Sequence, residues 1–233
     1  SSIPDHKSLI AIDFIAYQPE HVERDVELFG TLLNVTHFFF ISSTSTYARP
    51  LPTSLPFRES EVTLSNPHWD YARAKIACEE ALIHAINSGK HFPATIIRPS
   101  HTYDHTRLPF QGRWTVIDRM RQGKPVIVPG DGTNLWTLTW ASDVAVGIVG
   151  LMERAGPEMI GEAYHITGDR VLSWNELYHI AANAAGVQHQ CVKLVHVPSD
   201  VIAQWNAEWG QHLIGDKAHS AVFDNSKVKA KVP

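Results

Sequence analysis

Cysteine is scarce in this sequence. Cys78 and Cys191 are its two cysteines among 233 residues. Neither belongs to the paired spacing that holds a zinc ion or builds a disulfide framework, so reduced thiols in a cytoplasmic protein are expected. Long apolar runs are missing too. No stretch approaches the roughly 20 residues of a membrane span and no signal-peptide pattern is visible, so no membrane partner is expected. There is no excess of basic charge. The formal net charge is −4, and the nearest basic cluster, Lys227, Lys229 and Lys231, reads as a solvated end. No nucleic-acid partner is expected. Metal-ligand spacing is likewise lacking. Of fourteen histidines, His101 and His105 stand four apart, but in a loop between Pro99 and Pro109, and no His-Glu-x-x-His occurs; no metal is expected. Internal repeats and low-complexity linkers are absent.

What remains is the composition of a globular α/β chain. At 44% hydrophobic, it buries a core worth one domain or one and a half. Strands are expected near residues 9–16, 35–42, 93–98 and 162–167. Helices are expected near 19–30, where Pro19 suits a first turn, and near 71–88, 113–122, 142–154 and 199–210. Ser173-Trp174-Asn175-Glu176 is a capping-box pattern that opens a further helix to about Ala185. Residues 49–67 form a Pro-rich loop and residues 101–113 an irregular segment. Trp205 and Trp209, four apart, are expected on one core-facing side of the last helix. Strand–helix alternation implies a parallel sheet.

Two features carry chemistry. Tyr71 and Lys75 stand four apart near a helix start, so both project from one helix face. An ammonium beside a phenol favours phenolate and is expected to lower a pKa that is ordinarily about 10, which suits proton exchange with an alcohol or carbonyl. Upstream, the apolar run Thr36-His37-Phe38-Phe39-Phe40-Ile41 leads into Ser42-Ser43-Thr44-Ser45-Thr46-Tyr47. A hydroxyl cluster at the carboxyl end of a buried strand lies where open α/β sheets place ligand chemistry.

Taken in order, these segments resemble the extended short-chain dehydrogenase/reductase family, the NAD-dependent epimerases and dehydratases. Ala11-Ile12-Asp13-Phe14-Ile15-Ala16-Tyr17 resembles the family's fourth strand and following turn. Thr95-Ile96-Ile97-Arg98-Pro99-Ser100-His101-Thr102-Tyr103 resembles its sixth strand and Arg-Pro turn. Pro129-Gly130-Asp131-Gly132 through Asp143-Val144-Ala145 resembles the hairpin and helix start beside the substrate cleft, and Ala163–Gly168 the last sheet strand.

The resemblance implies a Rossmann-like doubly wound parallel sheet, incomplete at its first strands, with a smaller C-terminal substrate-binding region. The dinucleotide-binding part would comprise residues 1–102 and 140–168, and the substrate region 103–139 and 169–233. It implies an NAD(P)-dependent oxidoreductase or epimerase that moves hydride at a hydroxyl or carbonyl carbon of a sugar-like or other small molecule. NAD or NADP would be the cofactor and a homodimer the assembly. Tyr71 would be the acid/base, Lys75 its pKa modulator and ribose ligand, and Ser43 the hydroxyl that orients substrate. Phe14, Ile15, Ala16, Ser42 and Pro99 would border the cofactor. Thr44, His101 and Trp136 would meet substrate.

The departures from the family pattern matter as well. The dehydratases' Asp-Glu pair is replaced by Thr44 and Ser45, which disfavours sugar dehydration. An arginine that grips a diphosphate in sugar-nucleotide members is replaced by Trp136, which disfavours that substrate class. The opening Gly-x-x-Gly-x-x-Gly turn, which lets a helix N-terminus approach a pyrophosphate, does not occur. A truncated chain is therefore expected, because a sheet without its first strands exposes an edge and an apolar face. A naturally shortened, cofactor-free relative is the other reading. The alternative function is a catalytically silent cofactor sensor or RNA-binding relative of the same fold.

Overall fold

The computed structural model describes residues 8–32, 34–49, 55–60, 63–88 and 92–232. Along the chain run β1 (Leu9–Asp13), α1 (Pro19–Gly30), β2 (Val35–Ile41), α2 (Asp70–Asn87), β3 (Ala94–Pro99), β4 (His101–Tyr103), α3 (Trp114–Arg121), β5 (Val126–Pro129) and β6 (Leu135–Trp140). Then follow α4 (Ala141–Met152), β7 (Ala163–Ile166), β8 (Val171–Ser173), α5 (Trp174–Ala184), β9 (Leu194–Val197), α6 (Ser199–Trp205), α7 (Ala207–His212) and α8 (Ser226–Lys231).

The central sheet has the order β1-β2-β3-β7, parallel throughout. Strand β2 shows why it is buried on both sides. Successive side chains alternate faces, so Phe38 and Phe40 enter the core beneath α1 and α2 with Val22, Val26 and Leu82. Phe39 enters the opposite core with Ile97, Val144, Ile148 and Leu151, under α4. A sheet covered on both faces needs near-continuous apolar strands, which is the composition of β2 and β3.

A third core, built on Trp136, Trp174, Tyr178 and Phe110, joins α3, α5 and the remaining strands. Here β6 pairs with β4 in parallel and with β8 antiparallel, while β5 pairs with β9. The capping box at Ser173 forms as its sequence predicts, with Ser173 and Glu176 each bonding the other's backbone.

Some expectations change. Residues 129–140 form no hairpin, because β5 and β6 take partners in different sheets. The strand expected over 9–16 stops at Asp13, whose carboxylate accepts Ile15 N–H at 2.5 Å and Ala16 N–H at 2.9 Å and pulls the chain into a turn. The last helix is two short ones. Asn206 ends α6 and caps α7 by accepting Trp209 N–H at 2.8 Å, and Trp205 is 69% exposed, so the two tryptophans share no core-facing side. The Pro-rich loop over 49–67 lies partly outside the described residues.

Candidate active site

Strand β2 delivers Ser42 and Ser43 to the carboxyl edge of the sheet, and α2 begins across from them. The Ser43 hydroxyl accepts Ser45 N–H at 3.1 Å and the Ser45 hydroxyl at 2.9 Å. A hydroxyl has two acceptor positions and one proton. With both positions filled, the Ser43 proton is left for the Tyr71 phenol beside it. The proton of Tyr71 is thereby left to face a ligand.

The expected electrostatics are reversed at this phenol. Burial pushes the Tyr71 pKa up to about 12, against the lowering effect of the Ser43 bond. The cause lies in where Lys75 points. Its ammonium, 2% exposed, donates to Ala16 O and Ile41 O at 2.7 Å each and lies 4.8 Å from the Tyr17 and Phe40 ring centres. Burial also lowers the Lys75 pKa. Two of its three protons are committed to carbonyls, and the third is open to another acceptor.

Beneath the site runs a buried hydrogen-bond chain. Ser42 donates to Glu79, which takes Arg98 through both oxygens at 3.0 and 2.5 Å. Arg98 also donates to Tyr47 Oη at 3.0 Å, and Tyr47 pairs with His165 Nε2 at 2.5 Å. Because arginine only donates, Tyr47 must give its proton to His165, which then carries its own on Nδ1 toward Asp224 O at 2.8 Å. Ser42 thus turns its hydroxyl inward to this chain while bordering the site.

Two cavities meet at Tyr71. One, of about 230 Å³, is bordered by Phe14, Ser42, Tyr71, Lys75 and Pro99. The other, of about 410 Å³, includes Thr44, His101, Trp136, Arg107 and Lys217 in its wall. Tyr17, Ser43, Tyr71 and Ser100 belong to both walls. A third, apolar cavity of about 400 Å³ lies behind Trp136, between α3 and α5, and is not lined by Ser43, Tyr71 or Lys75.

The structure therefore brings together most of the residues named from sequence. Ser43, Tyr71 and Lys75 converge, with Phe14, Ser42 and Pro99 on one side and Thr44, His101 and Trp136 on the other. Ala16 is buried and enters through its carbonyl, whereas Ile15 is 71% exposed and outside both walls. His101 is more defined than sequence implies. Trp136 Nε1 donates to His101 Nδ1 at 3.2 Å, so the imidazole carries its proton on Nε2. Burial, with Lys217, Arg107 and His212 nearby, holds His101 well below the usual imidazole range and so neutral.

Sequence reasoning missed Tyr17, Trp69, Arg107, His212, Asp216 and Lys217, all in the larger wall. Asp216 accepts Arg49 at 3.0 Å, and burial lowers the Lys217 pKa, against the opposing charge of Asp216. Tyr17 sat inside a recognised segment. Trp69 immediately precedes α2, His212 ends α7, Asp216 and Lys217 lie in the helical turn after it, and Arg107 stands in the segment after β4, none with a local pattern that marks it for the site.

A parallel sheet whose strand-end serine and helix-borne Tyr–Lys pair border a double cavity defines a Rossmann-like α/β protein. The chain belongs to the NAD dependent epimerase/dehydratase family, whose profile matches residues 17–167. Over 134 residues it is 30% identical to human sterol-4-alpha-carboxylate 3-dehydrogenase, decarboxylating, covering 55% of this chain and 34% of that protein. Its fold is similar to UDP-glucuronic acid 4-epimerase from Bacillus cereus in complex with UDP-glucuronic acid and NAD, with a TM-score of 0.71 at 21% identity, covering 91% of this chain and 59% of that one. It is also similar to RMD from Pseudomonas aeruginosa complexed with NADPH, with a TM-score of 0.65 at 15% identity, covering 91% of this chain and 64% of that one. The chain thus spans about a third of the human relative and about three fifths of the epimerase. Among the described residues no helix is long and apolar enough to cross a membrane.

Proposed function

We propose that this protein works as an NAD(P)-dependent oxidoreductase or epimerase on a small hydroxyl- or carbonyl-bearing substrate. The observation that carries this reading is the placement of Tyr71 and Ser43 together in the wall common to two cavities. The smaller cavity fits the nicotinamide riboside end of a dinucleotide: Phe14 and Pro99 offer flat apolar faces, and Lys75 offers its third proton to a ribose hydroxyl. The bound nicotinamide supplies a hydride donor or acceptor.

The chain's own residues handle the proton and the substrate. At neutral pH Tyr71 is a protonated phenol, fit to donate from Oη to a carbonyl oxygen as negative charge grows there. Ser43 then bonds the resulting phenolate. In the reverse direction Tyr71 takes the proton back from an alcohol. Trp136, His101 and Thr44 shape the larger cavity, with His101 offering Nε2–H to a substrate oxygen. Residues 1–102 and 140–168 would serve the cofactor and residues 103–139 and 169–233 the substrate. Two such chains would pair through α1 and α2, which light scattering on the purified protein would register as a dimer mass.

The test is a titration of NADH and NADPH, followed by energy transfer from tryptophan to nicotinamide, with turnover measured on a panel of sugar-like and other secondary alcohols. Binding and turnover are expected, and Tyr71→Phe should keep binding while losing turnover by at least about a hundredfold, the scale of a positioned acid/base. Turnover retained in Tyr71→Phe overturns the mechanism. Binding with no turnover on any substrate points to a silent cofactor sensor instead.

A further inference from the structure

Asp25 lies on the side of α1 that carries Val22 and Val26 into the core, and it is 8% exposed. As an ionised carboxylate it would be stranded there, since its Oδ2 is buried and receives no hydrogen bond among the described residues. Its side chain instead meets that of Asp13. Two carboxyl groups hydrogen-bond only if one holds a proton. Asp13 is the acceptor of the pair: its Oδ1 already takes two backbone N–H groups, and Lys75 is within electrostatic reach. Asp25 is therefore the acid that keeps the proton.

The connection continues toward the site. The turn that Asp13 closes ends on Ala16, and Ala16 O accepts Lys75 Nζ at 2.7 Å. We infer that Asp25 is a positioning residue for Lys75: as a protonated donor it holds Asp13 in place, and its ionisation loosens the 13–17 turn and the cofactor-side cavity. The link to cofactor rests on the proposed function, while the carboxyl pair itself does not.

The charged groups around the pair act in opposite directions. Arg24, on the same helix, favours ionised Asp25; Asp13 on β1 disfavours it; Lys75 on α2 reaches Asp13, and the nearby Cys78 thiol, pushed up to about 11, stays neutral. Burial and Asp13 prevail, and the Asp25 pKa is pushed up to about 7. Asp13 itself is burdened by burial, but its bonds to Asp25, Ile15 and Ala16 and the charge of Lys75 hold it below the usual carboxylate value. An acid whose pKa is higher folded than unfolded stabilises the fold fully below the unfolded value, about 4. That contribution disappears as pH rises toward 7.

The test compares the protein with Asp25→Asn, whose amide remains a donor at every pH. If only the protonated form holds the turn, the competent fraction falls from about 0.9 at pH 6 to about 0.09 at pH 8, a roughly tenfold loss of NADH affinity. Asp25→Asn should lack this loss, and its melting temperature should gain on the parent's between pH 4 and 7. Independently, carboxyl-carbon NMR of the unaltered protein should show one aspartate titrating near neutrality. An aspartate spectrum with no such titration overturns the inference even if the variant does not fold, as does an unchanged pH dependence in Asp25→Asn. Should neither protein bind NADH, the proposed cofactor fails while melting and NMR still decide the carboxyl pair.

Discussion

At the scale of single residues, the site depends on who donates to whom. Trp136 illustrates it, because its indole N–H fixes His101 with the proton on Nε2. Trp136→Phe keeps an aromatic wall and removes that donor. One net hydrogen bond is worth about 1 kcal/mol, so KM should rise about fivefold with kcat little changed, as steady-state kinetics would show. An equal fall in kcat would place His101 in the chemical step instead. The pH dependence has a defined sign too. With Tyr71 at about 12, phenol is the form present across the neutral range, and reduction should not weaken through loss of its proton until strongly alkaline pH. A reduction rate falling between pH 7 and 9 in both the parent and Asp25→Asn would contradict that assignment.

Helices and strands matter here through what they bring to the sheet edge. The lower part of α2 is fixed by Glu79, four residues beyond Lys75, whose carboxylate meets Arg98 of β3 with both partners nearly buried. Glu79→Ala leaves the Arg98 guanidinium without its counter-charge and should cost about 3–5 kcal/mol in denaturant unfolding. Replacing Glu79 and Arg98 together by apolar residues should cost much less, since no charge is then stranded. At α5, Ser173→Ala removes the capping box, and a loss of about 1 kcal/mol should lower the melting temperature by about 2–4 °C. The helical elements were the most readable from sequence: α1, α2 and α5 carry Pro19, an apolar stripe or a cap that acts locally. Strands β4, β8 and β9, of three or four residues each, were not read, because so short a run has no periodicity to detect.

For the molecule as a whole, the two sides of the site are joined where the sheets touch. Gly168, just beyond β7, donates its N–H to Thr139 Oγ1 at 2.9 Å, and Thr139 in turn meets Ser100 Oγ at 2.5 Å. A Cβ at Gly168 would run into the Leu138 carbonyl on β6. Gly168→Ala should therefore separate β7 from β6, cost about 1–3 kcal/mol as overpacking, and weaken activity by displacing the Trp136 side of the larger cavity. Calorimetry with parallel kinetics would check both parts. Unchanged melting would mean that the junction yields without strain.

The sequence by itself determined the alternation of the longer strands and helices, the burial of β2 and β3, and the convergence of Ser43, Tyr71 and Lys75 at one sheet edge, because patterning, caps and helical spacing act over a few residues. Only the tertiary structure decided the rest. It turned Lys75 onto Ala16 and Ile41, raised the Tyr71 pKa where a lowering was expected, drew β5 and β6 to different partners, and brought Arg107 and Lys217 into the cavity wall that holds His101. Each of these depends on burial or on contacts between residues far apart in the chain. Desolvation and hydrogen-bond direction at such places are set by the packed neighbours, and no local stretch of sequence encodes them.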